Sequence, residues 1–157
     1  HPGEPTTSRR LGDVYKRQVD STARGERSLT IDCDVIQADG CTRCASITGC
    51  YIALALALKQ AWLERALTNK IAAISVGLVE GQGLLDLEYR EDSNAQVDFN
   101  VIGTDAGTYV ELQGTAEGKP FDREQTTELL DLADTGLRRL FEIQDAVLAG
   151  EAAKADA

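Results

Sequence analysis

The stretch "QADGCTRCASITGC", residues 37–50, gathers Cys41, Thr42, Arg43, Cys44 and Cys50 around a glycine, just ahead of the apolar run "YIALALALKQAWL". Three chemistries are open to it. Cys41 and Cys44 have the C-x-x-C spacing of a metal knuckle, but a structural zinc needs four ligands. No second knuckle follows, and the one histidine is His1. The same pair suits thiol redox chemistry, because a helix N-terminus lowers a thiol pKa, but it lacks the surrounding strand context of a thioredoxin-like fold. The third chemistry is anion binding. A helix starting straight after "ADG" leaves the N–H groups of residues 41–43 unpaired at the positive end of its dipole. Thr42 adds a hydroxyl, and Arg43 a planar fork matched to phosphate oxygens. A plainer reading makes Cys44 and Cys50 small buried hydrophobes, and for Cys50 that is the expectation.

A second group lies in "EYREDSNAQVDFN". Asp92 is expected in a turn and Asp98 at the centre of a strand between Val97 and Phe99. There a carboxylate gains nothing from packing and faces a partner, a cation or a cleft. Asp98 and Asn100 share a face. Either acid alone reads most simply as part of a solvated sheet face. Two acids converging on a phosphate site would instead hold a divalent cation or steer a leaving oxygen.

The elements that must position these groups follow from periodicity. "SLTIDCDVIQ" alternates, predicting a half-buried strand with Leu29, Ile31, Cys33 and Val35 on one face. A helix is predicted from Cys41 or Thr42 to about Leu67, with Ile47, Tyr51, Leu54, Leu58 and Trp62 on one stripe and Ala53, Ala55 and Ala57 on another. "IAAISVGLV", residues 71–79, reads as a central strand buried on both faces. "LLDLEYRED" is expected to form a short strand. "AQVDFNVIGT" and "TYVELQGTA" are expected to pair antiparallel across "DAG", with Gly107 in the left-handed region. Asp122 and Gln125 form a capping box for a last helix that buries Leu129, Leu132, Leu137, Leu140 and Ile143. The fold class expected is α+β, a mixed sheet packed with helices.

The 157 residues suit one domain, and 43% hydrophobic content is enough to bury a core. Acidic residues outnumber basic ones 26 to 16, a net charge of −10. That balance argues against a stand-alone nucleic-acid binder driven by long-range attraction. Four cysteines within one short window do not resemble a secreted disulfide framework, so a reducing, cytoplasmic setting is expected. "YIALALALKQAWL" is too short to span a bilayer, and no membrane association is expected. Residues 1–18 lack an apolar period and are expected to be a loose or non-native leader; "LGDVYKRQ" resembles translated sequencing adapter. The domain is expected over residues 19–150, with a flexible tail over 151–157.

Taken in series, "IDCDVIQADGCTRCASITG", "AAISVGLV", "LLDLEYREDSNAQVDFNV" and "ELQGTAEGKPF" resemble ribonuclease PH, over about Val19 to Ala149. The resemblance covers the C-terminal portion of that family's chain and implies its fold (the ribosomal protein S5 domain 2-like fold), in incomplete form. It implies phosphate-dependent 3'-to-5' exoribonuclease activity, a nucleotidyltransferase reaction that trims tRNA 3' ends and releases nucleoside diphosphates. It implies inorganic phosphate as co-substrate and Mg2+ as metal, with RNA as partner in tRNA and rRNA processing. It also implies a hexamer built as a trimer of dimers. Cys41, Thr42 and Arg43 fall at the family's phosphate-binding positions; Arg43, Asp92 and Asp98 fall at catalytic ones, with Asp92 and Asp98 at the metal. The family usually has glycine at position 41, and commonly threonine at 44 and alanine at 50. The connection from Lys59 to Lys70 is shorter than in typical members. The alternative is a catalytically inactive fragment or a structural ring subunit of the same family.

Overall fold

In the computed structural model, which describes residues 14–15, 19–24 and 26–155, four strands form one sheet in the order β2-β1-β3-β4. These are β1 (Ile71–Val79), β2 (Gln82–Leu85), β3 (Val97–Thr104) and β4 (Tyr109–Ala116). The helices are α1 (Ser21–Arg24), α2 (Thr42–Gln60), α3 (Tyr89–Asp92) and α4 (Arg123–Ala155), with a 3-10 turn at Glu64–Ala66. Every pairing in this sheet is antiparallel, where a mixed sheet was expected. Short returns such as Glu80-Gly81 and the hairpin at Gly107 reverse the chain, and none of the four strands is reached by the long crossover that a parallel neighbour needs.

The period of two along β1 and β3 divides the core between two helices. Ile71 and Ala73 of β1 and Ile102 of β3 join Ile47, Tyr51, Leu54 and Leu58 of α2 in one cluster. Ala72, Ile74, Val76 and Leu78, with Val97, Phe99 and Val101, join Leu129, Ala133, Leu137 and Phe141 of α4 in the other. The sheet therefore lies between α2 and α4. This is the layered α+β arrangement expected, and β1 is the doubly buried strand expected of it.

Four departures are informative. Residues 28–35 form no strand, and Leu29 and Val35 are exposed. Alternation makes a strand only where a neighbour takes up the backbone bonds, and among the described residues none pairs with this segment. The long helix ends at Gln60 rather than near Leu67. Trp62 takes φ 59°, its N–H bonds Lys59 O (3.0 Å), and Leu63 N–H bonds Leu58 O (2.8 Å). That is a Schellman closure with tryptophan where glycine is usual, and it leaves Trp62 89% exposed instead of in the apolar stripe. Of the small stripe, Ala55 is buried while Ala53 and Ala57 are exposed. The strand expected through "LLDLEYRED" stops at Leu85, because Glu88 and Glu91 form a capping box that starts α3.

The reciprocal Asp122–Gln125 bonds (3.0 and 2.9 Å) form as expected, as does the hairpin with Gly107 at φ 75°. On α4, Ile143 is 49% exposed and Gln144 is buried in its place. Gln144 Nε2 donates to Thr48 O and Ile71 O, tying α4 to both α2 and the start of β1. The helix runs through Ala155, past the boundary where a tail was expected. The leader expected over residues 1–18 lies outside the described residues except for Val14 and Tyr15. Both are buried against α2, and the Tyr15 hydroxyl donates to Ile47 O.

Candidate phosphate and metal site

The face parity that puts Ile102 under α2 also puts Asn100 and Asp98 there, two and four residues earlier on β3. Their register partners on β1 are Ser75 and Gly77, and on β4 Gln113 and Thr115; Ile102 itself pairs with Glu111. The α2 side of the sheet is thus apolar under the middle of the helix and polar under its amino end.

Cys41 is the N-cap of α2, and its sulfur accepts from Cys44 N–H at 3.3 Å. The thiol so occupies one of the helix's unpaired donors. Asn100 Oδ1 lies 3.0 Å from Cys41 Sγ and 3.2 Å from Cys44 Sγ, while Asn100 Nδ2 reaches Asp98 Oδ2 at 3.4 Å. A continuous chain of polar contacts therefore runs from the helix start to Asp98. Cys44 and Cys50 are buried, as the plainer reading expects for Cys50.

Arg43 reaches across to β4, where Nη2 lies 3.0 Å from both Glu111 carboxylate oxygens. Side-chain exposures of 21% and 38% put this pair at the rim. There an ion pair contributes on the order of 0–1 kcal/mol, so an anion can compete for the guanidinium. Nothing in the sequence pattern marks Glu111 as Arg43's partner; only the register of β4 brings them together.

The loop before the helix is fixed by its own contacts. Asp39 Oδ1 accepts from Tyr89 N–H at 3.0 Å, and a Cβ on Gly40 would lie 1.9 Å from Leu87 O. This close approach docks the start of α2 onto the segment that carries α3. Asp92 is the last residue of α3, not a turn residue as expected. Its charge still bears on Asp98, whose carboxyl is pushed above its ordinary range by burial first, then by the charges of Asp92 and Glu117. Asp98 and Arg43 in turn both act on the Cys41 thiol. The structure thus brings Cys41, Thr42 and Arg43 into one neighbourhood with Asp98, on which the charge of Asp92 acts. Asn100 and Glu117 join them, and sequence reasoning had assigned neither a role in the site.

These acids suit a hard divalent cation. Among the described residues no group of three His, Cys, Asp or Glu side chains forms a closed metal cage. Mg2+ is ordinarily held by one or two carboxylates, with substrate oxygens and water completing its shell. A half-buried carboxyl whose charge is opposed by two other acids is one that a cation would relieve.

With this geometry in view, comparison with known proteins is direct. Residues 69–136 match the model of the 3' exoribonuclease family, domain 2. Ribonuclease PH of Synechococcus sp. (strain CC9605) is 52% identical over 141 residues, covering 87% of this chain and 57% of that protein. Ribonuclease PH of Bacillus pumilus (strain SAFR-032) is 53% identical over 145 residues, covering 88% and 60%. Among solved structures, a chain of the Archaeoglobus fulgidus exosome with RNA bound to the active site superposes with a TM-score of 0.71 at 18% identity, over 90% of this chain and 63% of that one. Rice (Oryza sativa) Rrp46 superposes with a TM-score of 0.68 at 16% identity, over 94% and 67%. Fold and sequence together define a 3' exoribonuclease domain. Within that class the chain is similar to ribonuclease PH over most of its own length, and it spans under two thirds of the length of these two relatives.

Proposed function

We propose that this chain carries the phosphate-binding and acidic parts of a phosphorolytic 3'-to-5' exoribonuclease that trims tRNA 3' ends and releases nucleoside diphosphates. The observation that supports it most is the convergence of the α2 amino end, Arg43, Asn100 and Asp98 on one polar end of the sheet. In this reading inorganic phosphate sits at the N–H groups that begin α2, held by Thr42 and by Arg43 once the guanidinium turns from Glu111. Bound there, phosphate is oriented toward the last phosphodiester of the RNA, and Arg43 offsets charge on the five-coordinate centre. Asp92 and Asp98 are the residues that would hold Mg2+, which would supply positive charge to the phosphoryl oxygens. Asn100 positions Asp98 by donating to its carboxylate. The nucleoside diphosphate leaves, and the reverse reaction adds nucleotides to a 3' end.

The reading also carries RNA as partner, in tRNA and rRNA processing, a homohexamer arranged as a trimer of dimers, and a cytoplasmic setting. Among the described residues no helix is long and apolar enough to cross a membrane. A structural ring subunit without turnover is the second reading. It is favoured by Cys41 filling a helix donor and by the Arg43–Glu111 pair. Incubating the chain with a 3'-labelled tRNA precursor and Mg2+ separates the two. Phosphate-dependent release of nucleoside diphosphates, lost in Arg43→Ala, supports the nuclease. Monophosphate release without phosphate contradicts it, and no release with intact ring assembly supports the structural subunit.

A further inference from the structure

The two sulfurs at the start of α2 lie 2.8 Å apart, closer than any packing role requires. Cys41 stands outside the helical conformation (φ −67°, ψ 87°), which brings its side chain back over the first turn, where Cys44 N–H and Cys44 Sγ both face it. Cys41 is partly exposed and Cys44 is buried, the division of labour of an attacking and a resolving thiol. We propose that Cys41 and Cys44 are a reversible dithiol–disulfide couple, a site of two-electron thiol oxidation at the amino end of α2. This goes beyond the phosphate reading and does not depend on it.

The surroundings support the direction of attack. The Cys41 thiol is brought down from an ordinary 9.0 to about 7, chiefly by the hydrogen bond from Cys44; Arg43 helps, while burial and Asp98 oppose it. Cys44 is pushed up by the same bond, by burial and by the neighbouring Cys41 charge, so it stays protonated until the second step. A larger thiolate fraction at neutral pH favours Cys41 as the attacking sulfur, and its lower basicity offsets part of that gain.

The oxidant is a low-molecular-weight disulfide. The Cys41 thiolate attacks one of its sulfurs, forms a mixed disulfide and expels one thiolate. Cys44 then gives its proton to solvent and attacks Cys41 Sγ, closing the Cys41–Cys44 bond and expelling the second thiolate. Counted from the dithiol, the protein loses two electrons and two protons, and the small disulfide takes up both. Closure removes both S–H donors from Asn100 Oδ1, so oxidation is felt one hydrogen bond from Asp98.

The test is incubation of the purified chain at pH 7 with oxidised glutathione, followed by alkylation of the remaining thiols and mass mapping. The expected result is loss of the Cys41 and Cys44 thiols with no glutathione retained on either, a linked Cys41–Cys44 peptide, and full return with dithiothreitol. Cys44→Ser is expected to stop with one glutathione on Cys41, and Cys41→Ser to form no internal disulfide and to leave Cys44 reacting far more slowly than Cys41 does in the unaltered chain. The proposal is overturned by glutathione persisting on Cys41 of the unaltered chain, by oxidation confined to Cys33 and Cys50, by no oxidation, or by Cys41→Ser reacting at the unaltered rate.

Discussion

Gly40→Ala should unseat the junction between α2 and the segment carrying Asp92, and its cost follows from one contact. The added Cβ would lie 1.9 Å from Leu87 O and 3.1 Å from Leu87 C. A carbon rests against a carbonyl oxygen at about 3.3 Å or more, so the two backbones must separate by roughly 1.4 Å. Both partners are backbone, so no rotamer change relieves the clash. Forced separation in a packed region costs about 1–3 kcal/mol. Losing the Asp39–Tyr89 hydrogen bond adds about 1 kcal/mol. A chain of this size loses roughly 2–4 °C in Tm per kcal/mol, so a fall of about 5–15 °C is expected. Gly49→Ala is the matched control. It lies within α2 with nothing inside 4 Å of the added methyl. Alanine there gains about 1 kcal/mol of helix propensity, or roughly 2–4 °C. Thermal melts by circular dichroism measure both. A Gly40→Ala protein melting within 2 °C (about 0.5–1 kcal/mol) of the parent, or a Gly49→Ala protein melting below it, would refute the reasoning.

Other outcomes follow from the same contacts. Because the Asp98 carboxyl is raised in the fold, the stability it contributes is present at low pH and is lost as pH rises through its folded pKa. Asp98→Asn should therefore raise Tm at pH 7, with the gain vanishing below the ordinary carboxyl value of 3.8, while phosphorolysis is lost; a gain independent of pH would be inconsistent with this. Glu111→Gln releases Arg43 from its ion pair and should tighten inorganic phosphate binding several-fold by titration calorimetry, with Tm changed by no more than about 1 kcal/mol equivalent. Leu129→Ala empties a fully buried position between α4 and the sheet and should cost about 2–5 kcal/mol in urea unfolding.

Much of the layered core could be read from spacing. The continuous apolar run of β1 and the alternation of β3 specify faces without reference to any partner, and the Asp122–Gln125 box is local. The segment 28–35 misled because alternation describes a face, whereas a strand also needs a neighbour. Trp62 misled because helical spacing continues through a Schellman stop that no glycine announces. The candidate site was legible as two groups, residues 41–43 and the acids at 92 and 98. Their convergence could be read only from the family resemblance and not from spacing, since it depends on β3 parity and on the Gly40–Leu87 approach between segments distant in sequence. Glu111 and Asn100 escaped for the same reason. Each is unremarkable on its own strand and gains meaning only from the helix end placed above it.

The central claim, that the amino end of α2 holds phosphate, is tested most directly by titrating inorganic phosphate into 15N-labelled protein. The expected result is saturable shifts of the Thr42 and Arg43 amides, with Asn100 responding, all lost in Arg43→Ala while the rest of the spectrum is unchanged. Saturable shifts confined to another surface, or an unaltered response in Arg43→Ala, would contradict it.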